Sequence, residues 1–126
     1  MNNAYSAYKN NSINFASKEQ LLLMLLDGAV KFSKMGRQAL MDKNIKKANE
    51  NIKKTQNIFY ELIATFDLTK AGDWGEKMVA VYRYIIDELV KANIKKDVSI
   101  MDEVIPFIEE VRQTWKDAYT ALLINK

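Results

Sequence analysis

Residues 17–40 read SKEQLLLMLLDGAVKFSKMGRQAL. Within this stretch Leu22, Leu25, Leu26, Ala29, Phe32, Gly36, Ala39 and Leu40 recur in steps of three and four. That spacing places them on one face of a helix. Ser17 followed three residues later by Gln20 is a capping-box pattern, so the helix is expected to start at Ser17. Leu21, Leu23, Met24, Val30 and Met35 widen the apolar surface beyond a single stripe, which predicts contact with more than one neighbour. Gly28 and Gly36 interrupt the helix, and each costs about 1 kcal/mol of helix propensity relative to alanine. The expected compensation at both is close approach of another backbone.

The same period continues outward. A second helix over about 43–67 carries Ile45, Ala48, Ile52, Thr55, Phe59, Leu62, Ile63 and Phe66 on its stripe. Residues 67–72 break the period and end in Gly72, which reads as a loop. Asp73, with Glu76 three residues on, is placed to open a third helix bearing Trp74, Met78, Val81, Tyr82, Ile85, Leu89 and Ala92. A fourth begins at Asp97 or Ser99 and carries Met101, Val104, Ile105, Ile108, Val111, Trp115, Ala118 and Leu122. Pro106 lies inside it, and a kink or a break after a short first turn is expected there. Short links favour antiparallel neighbours, so the predicted fold is all-α: an antiparallel up-down four-helix bundle over residues 17–126. Residues 1–16 form a separate asparagine-rich segment, in which Tyr5, Tyr8, Ile13 and Phe15 give reason to expect packing on the bundle.

Composition narrows the function. Among 126 residues there is no cysteine and no histidine. The usual general base near neutral pH, the thiol nucleophile and the commonest metal ligands are therefore missing. A di-iron site built from Glu-x-x-His pairs is excluded on the same ground. No glycine-rich phosphate loop occurs. The chain is expected to be neither an enzyme nor dependent on a cofactor. The longest apolar run, Leu21 to Leu26, is six residues. A spanning helix needs about 20, and no basic segment leading into an apolar stretch opens the chain. The expected location is the cytoplasm. Net charge is +3, divided as −3 over residues 97–126 and +6 over the rest. The bases alternate with acids along helical stretches, which argues against a nucleic-acid stripe. Tyr82 and Tyr84, two apart, point to different sides of one helix, so both cannot enter the core. Gln56 and Asn57 stand mid-helix with amides able to meet an incoming backbone or water.

Five segments in order resemble the flagellar secretion chaperone family, FliS. They are Ala4–Tyr8 with Asn11-Ser12-Ile13; Leu22–Ala29; Lys54–Ile58 with Glu61-Leu62; Val81–Ile85 with Leu89, Ala92 and Asn93; and Glu103-Val104 leading to Arg112 and Trp115. One departure is Leu26, where the family commonly has tyrosine. The resemblance implies an antiparallel bundle that binds the disordered C-terminal segment of flagellin, blocks its premature polymerisation and delivers it for type III export. It makes the export gate a further partner and leaves the free protein a monomer or a weak homodimer. An amphipathic helix in an apolar groove fits this mode. The candidate flagellin contacts are Tyr5, Tyr8, Leu23, Gln56, Asn57, Phe59, Tyr82, Tyr84 and Asn93. The rival reading is a helical adaptor, or a homo-oligomer that pairs its apolar surface with a copy of itself.

By the same resemblance, Tyr5 and Tyr8 cover apolar surface in the free protein. Removing residues 1–16 is expected to expose that surface and drive self-association, visible by sedimentation at several concentrations. A truncated chain as soluble and monomeric as the parent would refute the covering role.

Overall fold

The computed structural model describes residues 17–124. Four helices follow one another: α1 Lys18–Met41, α2 Ile45–Thr65, α3 Leu68–Lys95 and α4 Val98–Ile124. Each packs against the next in sequence, and α4 returns to α1. The result is the expected four-helix bundle, with two- or three-residue links. Expectations about residues 1–16, Tyr5 and Tyr8 included, lie outside the described residues.

The helix ends follow local chemistry. Ser17 and Gln20 complete the capping box, with Gln20 N–H donating to Ser17 Oγ at 3.1 Å and Ser17 N–H to Gln20 Oε1 at 2.8 Å. Asn44 caps α2 by accepting from Lys47 N–H at 3.1 Å. Asp97 opens α4 by accepting from the N–H and hydroxyl of Ser99, at 2.8 and 2.6 Å. These bonds hold the Asp97 carboxyl below its ordinary range, and the Thr69 hydroxyl does the same for Asp67 at the start of α3. Lys43 and Lys96 take left-handed backbone conformations after α1 and α3, with φ of 59° and 52°. Glycine ordinarily fills such positions.

Two expectations about breaks are corrected. Residues 68–71 are not loop but a first turn of α3, capped by Asp67 and separated from the main helix by Gly72 at φ 61° and ψ −138°. Glycine reaches that conformation without a Cβ clash, so the break falls on the residue and not on the stretch before it. Nor does Pro106 divide α4, which runs unbroken from Val98 to Ile124. Pro106 is exposed, and the tightly packed Val104, Ile105 and Ile108 around it anchor the helix on the core.

The bundle tapers. At the end nearest the α1–α2 and α3–α4 links the facing residues are small: Gly36, Ala39, Ala48 and Ala92 are all buried. Towards the other end the rings of Phe59, Phe66, Tyr82 and Trp115 lie between the helices. Side-chain volume at the contact sets how closely two helix axes approach. Buried polar groups sit mainly where helix backbone can satisfy them: Ser33 Oγ donates to Val30 O at 2.8 Å and Thr55 Oγ1 to Asn51 O at 2.9 Å. Asn51 is the exception, its amide donating to Lys47 O while Oδ1 finds no partner.

The two mid-helix glycines of α1 prove different. A Cβ at Gly36 would stand 2.9 Å from Ile52 Cγ1 and 3.4 Å from the Ile52 nitrogen, so α2 does approach closely there. A Cβ at Gly28 would meet Ile58 Cδ1 at 3.5 Å, an ordinary contact, and close approach is not its reason. Gly36→Ala is therefore expected to destabilise by about 1–2 kcal/mol, overpacking outweighing the helix gain. Gly28→Ala is expected to stabilise by up to about 1 kcal/mol. Urea unfolding of the two variants checks both, and equal shifts in the same direction would contradict the packing.

Candidate functional site

The apolar stripes outrun the core. On α1 burial is complete only from Leu25 onward, and Leu21 to Met24 are half-covered. On α4 the last buried residue is Val111; Ala118 and Leu122, expected on the core stripe, are exposed. On α3, Trp74 is 48% exposed, and Val81 is exposed too. The antiparallel topology gathers the start of α1, the end of α2, the start of α3 and the end of α4 at one end of the bundle. Leu68, Trp74, Leu122, Leu123 and Ile124 all lie at this end and are exposed. Residue 17, where the N-terminal segment joins α1, is at the same end.

This apolar end rests on an aromatic stack. Trp74 sits edge-on to Trp115 with ring centroids 5.3 Å apart, and Phe66 contacts both at 6.0 and 6.2 Å. Below them Tyr82 is fully buried against Phe59 and Phe66. Its hydroxyl is satisfied by Trp115, whose Nε1–H donates to it at 2.8 Å. Edge-to-face rings at these distances add to area burial. The stack thus presents Trp74 to solvent on a rigid base.

Of the four seams along the bundle, three differ in their surface chemistry. Between α1 and α4 lie ion pairs joining Asp27 to Arg112, Lys34 to Glu109 (3.1 Å) and Arg37 to Asp102. Such exposed pairs contribute little stability, but they dress this seam for water. Between α2 and α3 the surface is half-buried and mixed. Asn93 Nδ2 donates to Asn49 Oδ1 at 2.9 Å across it, and Lys96 Nζ donates to Asn93 Oδ1. Gln56 and Ile63 stand one and two heptads beyond Asn49 on the same face of α2, both half-buried. Between α3 and α4, Tyr84 and Phe107 meet at 5.3 Å with both rings exposed.

The residues singled out from sequence are therefore scattered. Gln56 and Asn93 share the α2–α3 seam, while Asn57 is exposed on the outside of α2. Tyr84 is exposed on α3 next to Phe107, as a tyrosine two positions from a buried one must be. Leu23 is half-buried one turn before Asp27, on the α4 side of α1. Phe59 and Tyr82 need correcting: both are 0% exposed and belong to the core, so neither offers a contact surface. A position on the stripe already implied this, since Phe59 follows Thr55 by four and Tyr82 precedes Ile85 by three. Trp74, Leu122 and Leu123 were read as core or passed over, because periodicity gives a residue's face and not where along the helix the core ends.

Comparison with known proteins gives the family. The model of the flagellar protein FliS family matches residues 1–122. The chain belongs to the FliS family. It is 39% identical to the flagellar secretion chaperone FliS of Bacillus subtilis strain 168, over 92% of this chain and 86% of that protein. Similarity extends to the proteins of the same name in Campylobacter jejuni (29% identity, 94% and 92% covered) and Vibrio cholerae (27%, 91% and 88%). The FliS relatives are named for a chaperone, a binding role and not a catalytic one. Among the described residues no group of acidic side chains is arranged to hold a metal, and no helix is long and apolar enough to cross a membrane.

Burial pushes the Tyr82 hydroxyl from its ordinary 10.0 up to about 12, against a smaller opposing effect of the Trp115 hydrogen bond. The folded state then keeps a proton that the unfolded state has released between pH 10 and 12. Stability from this group is complete below pH 10 and falls as pH rises through that window. Tyr82→Phe is expected to lack this alkaline limb while costing about 1 kcal/mol at pH 7, because Trp115 loses its acceptor. Urea unfolding followed by tryptophan fluorescence from pH 8 to 12 tests it; parallel profiles would show that the hydroxyl is not sealed from water.

Proposed function

We propose that this chain is a cytoplasmic export chaperone that holds the C-terminal segment of flagellin, keeps it from polymerising and hands it to the flagellar type III export gate. The observation that carries the reading is the apolar end of the bundle, where Leu68, Trp74, Leu122 and Leu123 remain exposed above a fully packed core. An apolar patch rimmed by polar residues marks a partner's seat. The family names supply the partner's class, since the relatives are secretion chaperones of the flagellum.

The physical demands of that task fit the surface. A client that is disordered alone loses conformational freedom when it orders, and coupled folding of this kind buries on the order of 1,000–3,000 Å². A compact pocket cannot supply that area, whereas one bundle end continued by a seam can. The α2–α3 seam offers half-buried apolar residues beside the amides of Gln56, Asn49 and Asn93. Amides there can meet the backbone of an extended stretch between helical pieces. Leu23 borders the same end of the bundle from the α1 side. The ion-paired α1–α4 seam is left to solvent.

Calorimetry with a peptide of the last ~40 residues of the cognate flagellin, a length set by that buried area, tests the reading. Binding with negative ΔCp and a gain in helical circular dichroism beyond the sum of the parts is expected. Leu122→Ala with Leu123→Ala is expected to weaken binding at least tenfold with little change in thermal unfolding, whereas Trp74→Ala should weaken binding and also lower stability through its lost ring contacts with Phe66 and Trp115. No binding, together with self-association that rises with concentration, would favour the homo-oligomer instead.

A further inference from the structure

The outer α3–α4 seam carries a second apolar feature, remote from the bundle end. Tyr84 and Phe107 are 43% and 42% exposed and pack edge to face at 5.3 Å, joined on α3 by exposed Val81. Large rings left half in water on facing helices form a step that a partner's side chains can straddle. What distinguishes this step is its rim. Glu103 and Glu110 flank Phe107 at one turn on either side, and Asp87 lies one turn beyond Tyr84. All three carboxylates are exposed, and among the described residues none is joined in an ion pair. The nearby cations, Lys77, Arg83 and Lys91, all stand on α3. Lys91 is committed to Glu88 at 3.0 Å, which with Asp87 raises its affinity for its proton, and Arg83 stands at the edge. The seam is thus apolar where the two rings meet and acidic on its α4 side, above and below Phe107, while its α3 side is mixed in charge.

We propose that the Tyr84–Phe107 step is a docking site for a short amphipathic helix from a second protein, apolar along one stripe and carrying Lys or Arg on the side that meets α4. The occupant is argued from charge complementarity. The acidic α4 side, with Glu103 and Glu110, rejects an acidic helix and draws in a basic one, which sets choice of partner and rate of encounter more than raw affinity. The step spans about three turns of helix, so the segment needs roughly 11–14 residues. It lies apart from the apolar bundle end, so the chaperone can hold its client and this partner together.

The probes are a synthetic 14-residue helical peptide with leucines on one stripe and lysines along one flank, and its counterpart with glutamates replacing the lysines. Each is titrated into the isotope-labelled full chain by NMR and calorimetry, with and without the flagellin C-terminal peptide. The lysine peptide is expected to bind at least tenfold tighter than the glutamate peptide, with amide shifts centred on residues 81–91 and 100–110. The advantage should shrink at about 0.5 M salt. Tyr84→Ala with Phe107→Ala should lose at least tenfold in affinity for the lysine peptide. Glu103→Gln with Glu110→Gln should abolish the preference while leaving the apolar contact. Equal affinity for the two peptides, or shifts on another face, overturns the proposal. Displacement of the lysine peptide by the flagellin peptide would also overturn it, giving the step to the client. Failure of the flagellin peptide to bind, with the lysine peptide still docking, would sink the export-chaperone reading and leave this one standing.

Discussion

The constraint behind the rest of the structure is the mismatch between the length of the apolar stripes and the length over which four helices can close on one another. Where Gly36 faces Ile52, and Ala39, Ala48 and Ala92 are buried, little side-chain volume separates the backbones. Further along, the rings of Phe59, Phe66, Tyr82 and Trp115 pack between the helices. A stripe that continues past the rings is only partly covered, as Trp74 is by Phe66 and Trp115. Leu122 on α4 and Trp74 on α3 are left at the surface for that reason. Binding surface and core are in this sense one pattern, cut in two by the place where packing stops.

The aromatic stack does two jobs at the boundary. Towards the core it seals Tyr82, whose hydroxyl is satisfied by Trp115. Towards solvent it supports Trp74 on the edge of Trp115 and Phe66. A buried hydroxyl with its one partner costs little, whereas the same hydroxyl without it would cost about 1–3 kcal/mol. A rigid base also spares a partner the entropy of ordering Trp74 on contact. Electrostatics divides the long sides. Cations of α1 and α4 answer acids on the opposite helix along their shared seam, while Glu103 and Glu110 on the α3–α4 side join no ion pair among the described residues.

Much of the fold was legible because helix periodicity is a strong and local signal. The face of each helix, the capping box at Ser17 and the antiparallel order all follow from spacing and short links. Pairs two apart were legible too, which is why Tyr84 stands outside once Tyr82 is inside. The site was read less well. Phe59 and Tyr82 were expected to touch a partner, yet both lie on stripes whose centres are core. Gly28 and Gly36 look alike in the chain, and only the position of α2 separates a needed glycine from a replaceable one.

The sequence by itself determined the class of structure and the exclusions. Without histidine or cysteine, imidazole and thiol chemistry have no groups to work with, and a 3.6-residue period over four segments leaves one economical architecture. Only the tertiary structure decided how far the core extends, which seam is ion-paired and which is bare, and that Tyr84 meets Phe107 across two helices. Period reports an angle around a helix axis. Burial depends also on height along the axis and on what the neighbouring helix brings to that height, and neither is written in any one segment.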